Sequence, residues 1–212
     1  GGEAMTGVVS EFEGLDEAES YFRAMPKRSA RAARLAINQT ITRSGMKTVQ
    51  DEMYDQIAFP KGYLKDGDRL RVARYATEAN LLGVIAGRKR ATSLARFAAP
   101  GTPLGSKARA GVQVTVRRGQ SIMLRNAWLV RLNKGASLTE DNFNVGLAVR
   151  VGDGESVTGK FSKHQSWLIP GSVALLYGPS VDQVFADVAE EKGPEVLNQV
   201  ADEFFRQFER MS

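Results

Sequence analysis

The sequence predicts an α+β fold with N-terminal helices, one of them long, a central and mainly antiparallel β-sheet carrying long loops, and two C-terminal helices. Three observations carry this. Apolar residues recur at helical spacing up to about residue 58, alternate with polar ones between about 69 and 132, and return to helical spacing after residue 180. Helices at both ends with strands between them favour an antiparallel sheet over repeated βαβ units. A chain of 212 residues, 42% hydrophobic, can bury one core without covalent staples, so a single domain over 1–212 is expected. Its parts are a helical region at about 12–60, a β-rich core at about 68–177 and helices at about 179–211. The absence of cysteine excludes disulfides and thiolate metal sites, and fits assembly in a reducing cytoplasm.

Taken in order, Leu15–Ala24 reads as a short acidic helix. Pro26 suits the first turn of a second helix, where a missing N–H costs nothing. That helix should run to about Ala58, with Met25, Ala32, Leu35, Met46, Val49, Met53 and Ile57 on one face. Thr42 continues the stripe, Gly45 lies beside it, and Pro60 and Gly62 end it. Strands are expected at 69–75, 79–86, 111–117, 121–125, 127–132, 145–151 and 172–176, with a turn at Arg118-Gly119-Gln120. Breaker-rich Ala98–Ser106 and Gly-rich Gly152–Ser166 read as loops. Ser180 and Gln183 have capping-box spacing and open a helix to about Glu191; Gly193-Pro194 breaks it, and Glu195–Met211 forms the last helix.

The net charge is only +5, but it is segregated. Glu11–Glu19 carries acids alone, Arg23–Lys47 bases alone, Arg69–Lys134 is strongly basic, and the C-terminal region from Asp182 is acidic. Such polarity either makes subunits complementary head to tail or turns a basic lining towards DNA. Alternatively, the acidic ends fold back on the basic middle of the same subunit. No apolar run approaches the length of a membrane span, and residues 1–26 show no secretory signal, so no membrane partner is expected.

Chemical motifs are sparse. Gly154–Lys160 matches most of a phosphate-binding loop, but Phe161 stands where a magnesium-holding hydroxyl is needed, and no helix follows. His164, the only histidine, lacks neighbouring ligands or a nucleophile motif, and reads as a loop residue. Asp51, Glu52 and Asp55 invite a two-metal nuclease reading, yet one acidic helix face is ordinarily just solvated. No catalytic residue, cofactor or metal is therefore expected. The densest basic sites are Arg88-Lys89-Arg90 and Arg117-Arg118, which at strand ends or turns could reach phosphates or an acidic partner without reading sequence.

Several segments in order resemble the prophage minor tail protein Z family, the tail-completion proteins of long-tailed phages. They are Leu35-Ala36-Ile37-Asn38-Gln39-Thr40, the stretch from Arg69 through Leu81 and Ile85 to Gly87-Arg88 and Leu94-Ala95-Arg96-Phe97, Gly111-Val112-Gln113-Val114 with Ala127-Trp128-Leu129, and Leu176-Tyr177-Gly178-Pro179-Ser180. The resemblance covers roughly residues 30 to 210. It implies a non-enzymatic virion protein at the head-proximal end of the tail, assembled in the host cytoplasm. The implied partners are copies of itself in a ring, expected to be a hexamer, neighbouring tail, terminator and connector proteins, and genomic DNA without sequence preference. Gly178-Pro179-Ser180 is then a structural strand-to-helix corner, with Gly178 supplying unusual backbone angles and Pro179 setting the helix entry.

Overall fold

In the computed structural model the described residues are 27–105, 111–132, 143–150, 168–169 and 173–211. The expected helix at Leu15–Ala24, the Gly154–Lys160 motif and His164 lie outside them. The fold is α+β, with helices and antiparallel sheets. The chain forms two compact units: residues up to Met53 with Leu70–Gly87 and Asp182–Ser212, and Tyr54–Arg69 with Arg88–Val181.

In the first unit, α1 (Lys27–Thr42) and α2 (Ser44–Gln56) form the long helical stretch expected, interrupted only at Arg43. Backbone bonds continue through the interruption, from Arg43 N to Gln39 O (3.0 Å) and from Lys47 N to Arg43 O (2.8 Å). The buried face is Ala32, Ala33, Ala36, Thr40, Ile41, Gly45, Val49 and Met53. Thr42, expected on that stripe, is exposed, and its hydroxyl donates to Asn38 O at 2.7 Å. The interruption at Arg43 shifts the burial phase, so Thr40 and Ile41 take the inward positions. Gly45 is close-packed, since a Cβ there would meet Thr40 at 3.0 Å and Val196 at 3.1 Å.

The two C-terminal helices expected are one, α3 (Val181–Arg210), with Pro194 inside it. Proline removes a donor and its ring crowds the carbonyl four residues back. It also disfavours helical geometry in the preceding residue, partly through that residue's Cβ, and Gly193 has none. Burial on both sides of the proline then outweighs the local cost, with Val184, Phe185, Val188 and Ala189 before it and Val196 after it. Lys192 bridges to Glu52 at 3.1 Å, Gln199 Nε2 donates to Thr48 Oγ1 at 2.9 Å, and Arg28 donates to Phe208 O at 3.3 Å. Positions climb along α3 as they fall along α1–α2, so the two run antiparallel.

Strand β1 (Leu70–Arg74) pairs antiparallel with β2 (Val84–Gly87) in the same unit. The strand expected at 79–86 begins only at Val84. Before it, Thr77 and Asn80 close a turn on each other, while Asn38 clamps Ala76 with both amide atoms (3.0 and 2.8 Å). Gly83 passes so close to α1 that a Cβ would stand 2.7 Å from both Ile37 and Ile41. Side-chain claims on this backbone displaced the strand.

In the second unit a five-stranded antiparallel sheet runs β3 (Ala91–Ser93), β9 (Val173–Ser180), β7 (Val145–Arg150), β6 (Ala127–Arg131), with β8 (Leu168–Ile169) also on β9. A separate hairpin pairs β4 (Val112–Thr115) with β5 (Ser121–Leu124). Ala95, Val112, Val114, Ala127, Leu129, Val145 and Leu147 form the core of this unit. β3 is too short to show periodicity in sequence.

Candidate interaction surface

Arg88-Lys89-Arg90 follows directly on β2, and the structure divides its members. Lys89 and Arg90 are exposed. Arg88 is half-buried: its Nη2 donates to the Tyr63 hydroxyl at 2.7 Å, and its Nε is buried without a hydrogen-bond partner. Burial, foremost, and the neighbouring Arg69 and Arg90 charges lower its pKa from the ordinary arginine value, while Tyr63 opposes the shift. An arginine so lowered is still a cation at neutral pH.

Tyr63, 1% exposed, is the centre of a cationic cluster that the sequence did not reveal. The guanidiniums of Arg69, Arg96 and Arg88 lie 4.2, 4.8 and 5.8 Å from its ring centroid. Arg69, placed within the strand expected at 69–75, instead precedes β1, is buried and donates to Tyr63 O (3.0 Å) and Asp66 O (2.8 Å). Arg96 also lies 4.1 Å over the Phe143 ring. The Tyr63 hydroxyl donates to buried Thr92 at 3.2 Å, and the ring stacks on Phe59 at 5.2 Å. Each such cation–π contact contributes about 0.5–2 kcal/mol. The cluster is thus part of the core of the second unit, and the surface charge of the Arg88 site resides on Lys89 and Arg90.

Arg117 and Arg118 occupy the β4–β5 turn, both exposed, with Gly119 at φ +77°. The turn is anchored to the last turn of α2 and the residues just after it: Ala58 N donates to Val116 O (2.8 Å), Arg118 N to Gln56 O (3.2 Å), and Arg118 Nε to Tyr54 O. Among the described residues the two basic sites share no hydrogen bond or ring contact.

Gly178-Pro179-Ser180 does stand at a strand-to-helix junction, since β9 ends at Ser180 and α3 begins at Val181. The reasons differ from those expected. Gly178 takes no left-handed backbone; it is close-packed, with a Cβ there meeting the Phe97 ring at 3.1 Å and Leu94 at 3.5 Å. Pro179 precedes the helix by two residues, within the strand. Ala91 pairs with Ser180 and Thr92 with Gly178, so Pro179 is the unpaired residue of a bulge, where its missing donor costs no ladder bond. Beside it, burial raises the Tyr177 pKa, opposed by the Arg90 charge.

Of the acidic trio, Asp51 pairs with Lys47, Glu52 with Lys192, and Asp55 is exposed. The Glu52 hydrogen bond, foremost, and its charge raise the Lys192 pKa. Among the described residues no three acidic or histidine side chains gather as a metal site would require, and no helix is long and apolar enough to cross a membrane.

The first unit adds a feature unforeseen as a site. A cavity of about 630 Å³ is lined by Lys27, Arg28, Arg31, Arg34, Glu78 and Met211. Arg34 pairs with Glu78 at 3.5 Å, and Arg28 lies 4.8 Å over the Phe208 ring. Among the described residues Lys27 and Arg31 enter no ion pair.

No family model, curated protein or solved structure matches this chain.

Its candidate surface is therefore read from charge. At 3.6 residues per turn, Asp187, Glu191, Glu195, Asp202 and Glu209 fall within an arc of about 80° on α3. All five are exposed. Asp182–Glu195 holds five carboxylates and one lysine, whereas Val196–Met211 holds three carboxylates and two arginines. The acidic half of α3 lies away from Met211, which lines the basic cavity. One end of the helical layer is thus negative and the other positive. Such a layer presents charge of opposite sign at its two ends.

Proposed function

We propose that this chain is a non-enzymatic structural virion protein of a tailed bacteriophage. In this reading it is a minor tail or tail-completion subunit at the head-proximal end of the tail, assembling as a ring that enables head–tail joining. The observation that carries the reading is the opposite charge at the two ends of the α1–α3 layer. A surface with complementary ends favours heterologous contacts between identical copies, and these close into rings when the rotation permits. The resemblance to the minor tail protein Z family supplies the virion setting. Exposed Ile122 and Met123 on the β4–β5 hairpin give it apolar contact surface of the kind intersubunit arms use.

The test is the particle phenotype when the gene is removed. Filled heads and full-length tails that fail to join are expected, with joining restored by the purified protein. Tails of wrong length would move the subunit to a terminator position, and normal particles would sink the reading. A second reading, a DNA-binding packaging or connector accessory, is favoured by exposed Lys89, Arg90, Arg117 and Arg118. It requires salt-sensitive binding of the monomer to duplex DNA, lost when these four cations are replaced.

A further inference from the structure

We propose that the basic cavity on α1 of one copy receives the carboxylates Asp187, Glu191 and Glu195 on α3 of a second copy, forming a head-to-tail contact. This deepens the reading above and rests on its premise that the chain assembles with itself.

Three features converge on it. The first is spacing. Lys27, Arg31 and Arg34 stand on one face of α1, and at 1.5 Å per residue they span about 10 Å. Asp187, Glu191 and Glu195 span about 12 Å on one face of α3. Two such ladders, laid side by side, place cation against carboxylate at each turn.

The second is separation. Glu191 and Met211 are about 30 Å apart along α3 at helical rise, beyond the reach of side chains. The carboxylates of the acidic half therefore cannot fill the cavity of their own first unit, while those of another copy can.

The third is the charge inside the cavity. Glu78 engages Arg34, and Arg28 is held by the Phe208 carbonyl, so among the described residues Lys27 and Arg31 are the lining cations with no ion pair of their own. Duplex DNA, with one charge per about 1.7 Å, is held through a long tract of such cations. A short exposed pair on one helix face suits a few carboxylates on a helix better. Each copy keeps one donor face and one acceptor face after docking, so the contact propagates, and it closes into a ring where the rotation permits.

The test is charge reversal in the full chain, read as mass in solution at low salt. Arg31→Glu and Glu195→Lys are both exposed substitutions, and circular dichroism with a thermal melt checks that each variant is folded. Each alone is expected to weaken self-association about tenfold through like-charge repulsion. An equimolar mixture of the two is expected to recover it, because Glu195 of one variant meets Arg31 of the other and the reversed pair forms the alternate contact. Wild-type mass in either single variant overturns the interface, as does a mixture that fails to recover, or a wild-type chain that stays monomeric at low salt. Loss of duplex binding in Arg31→Glu with unchanged mass assigns the cavity to phosphates instead. These results are separable from the particle phenotype: normal joining without the gene sinks the virion reading, whatever the mass.

Discussion

At the residue scale, close approach decides more than exposure. Gly83 lies where a methyl group would collide with Ile37 and Ile41 of α1, so Gly83→Ala requires the β1–β2 hairpin or these two side chains to shift. A cost of about 1–3 kcal/mol is expected, as for other overpacked cores, measurable by urea denaturation. A wild-type midpoint would mean the hairpin shifts freely. Tyr63 presents a different case, since its hydroxyl accepts from Arg88 and donates to Thr92. Tyr63→Phe keeps the ring for the guanidiniums but removes the acceptor from a half-buried cation. Destabilisation of about 1–3 kcal/mol is expected. If the loss is near zero, the ring contacts alone hold the cluster. Arg69 was unreadable as core because its partner Tyr63 lies outside any local periodicity, and a buried arginine has no sequence signature apart from its partner.

At the element scale, α3 shows a burial pattern overriding a local breaker. Pro194 withholds a donor from the Glu190 carbonyl, and Glu190 is exposed, so water can serve that oxygen. Pro194→Ala restores the bond and relieves the ring contact, with some loss of the constraint proline places on the unfolded chain. A net gain of about 2 kcal/mol is expected in thermal unfolding. A lower melting temperature would show that a bend at Pro194 is needed to seat both halves against α1 and α2. The Lys192–Glu52 bridge adds a pH signature. The folded pKa of Lys192 is raised, so its contribution is complete below the ordinary lysine value of about 10.4 and is lost as pH rises through the folded value. Between pH 7 and 9 the wild type and Lys192→Met should differ by a constant stability, with the gap closing above that window. A gap that closes below pH 9 contradicts the sign.

At the scale of the whole molecule, the property on which the proposed self-assembly rests is where charge lies. Self-association driven by a cationic cavity and an acidic helix face is expected to be strongest at low ionic strength. It should weaken steeply towards about 1 M salt, where the screening length is about 3 Å. Light scattering across that range is the direct check. Mass that is independent of salt would place the contact on apolar surface instead, with exposed Ile122, Met123 and Phe205 the first residues to replace.

The sequence by itself determined the order of the regions, helix first, then antiparallel strands, then helix, because the signals were local. The Val112–Leu124 hairpin was visible in its alternation and its Arg118-Gly119 turn, and the helical ends in their 3.6-residue stripes. It also showed the acidic and basic blocks, since charge is written residue by residue. Tertiary structure alone decided that Gly193-Pro194 sits within one helix, that 75–83 is not strand, and that Gly178 is there for Phe97 rather than for its backbone angles. It alone decided that Arg69 is buried, and that Lys27, Arg28, Arg31 and Arg34 gather with Glu78 and Met211 around a cavity. The physical reason is common to all five. Each is settled by atoms far away in sequence, whose contact energies of a few kcal/mol exceed the local preferences that periodicity and breakers report.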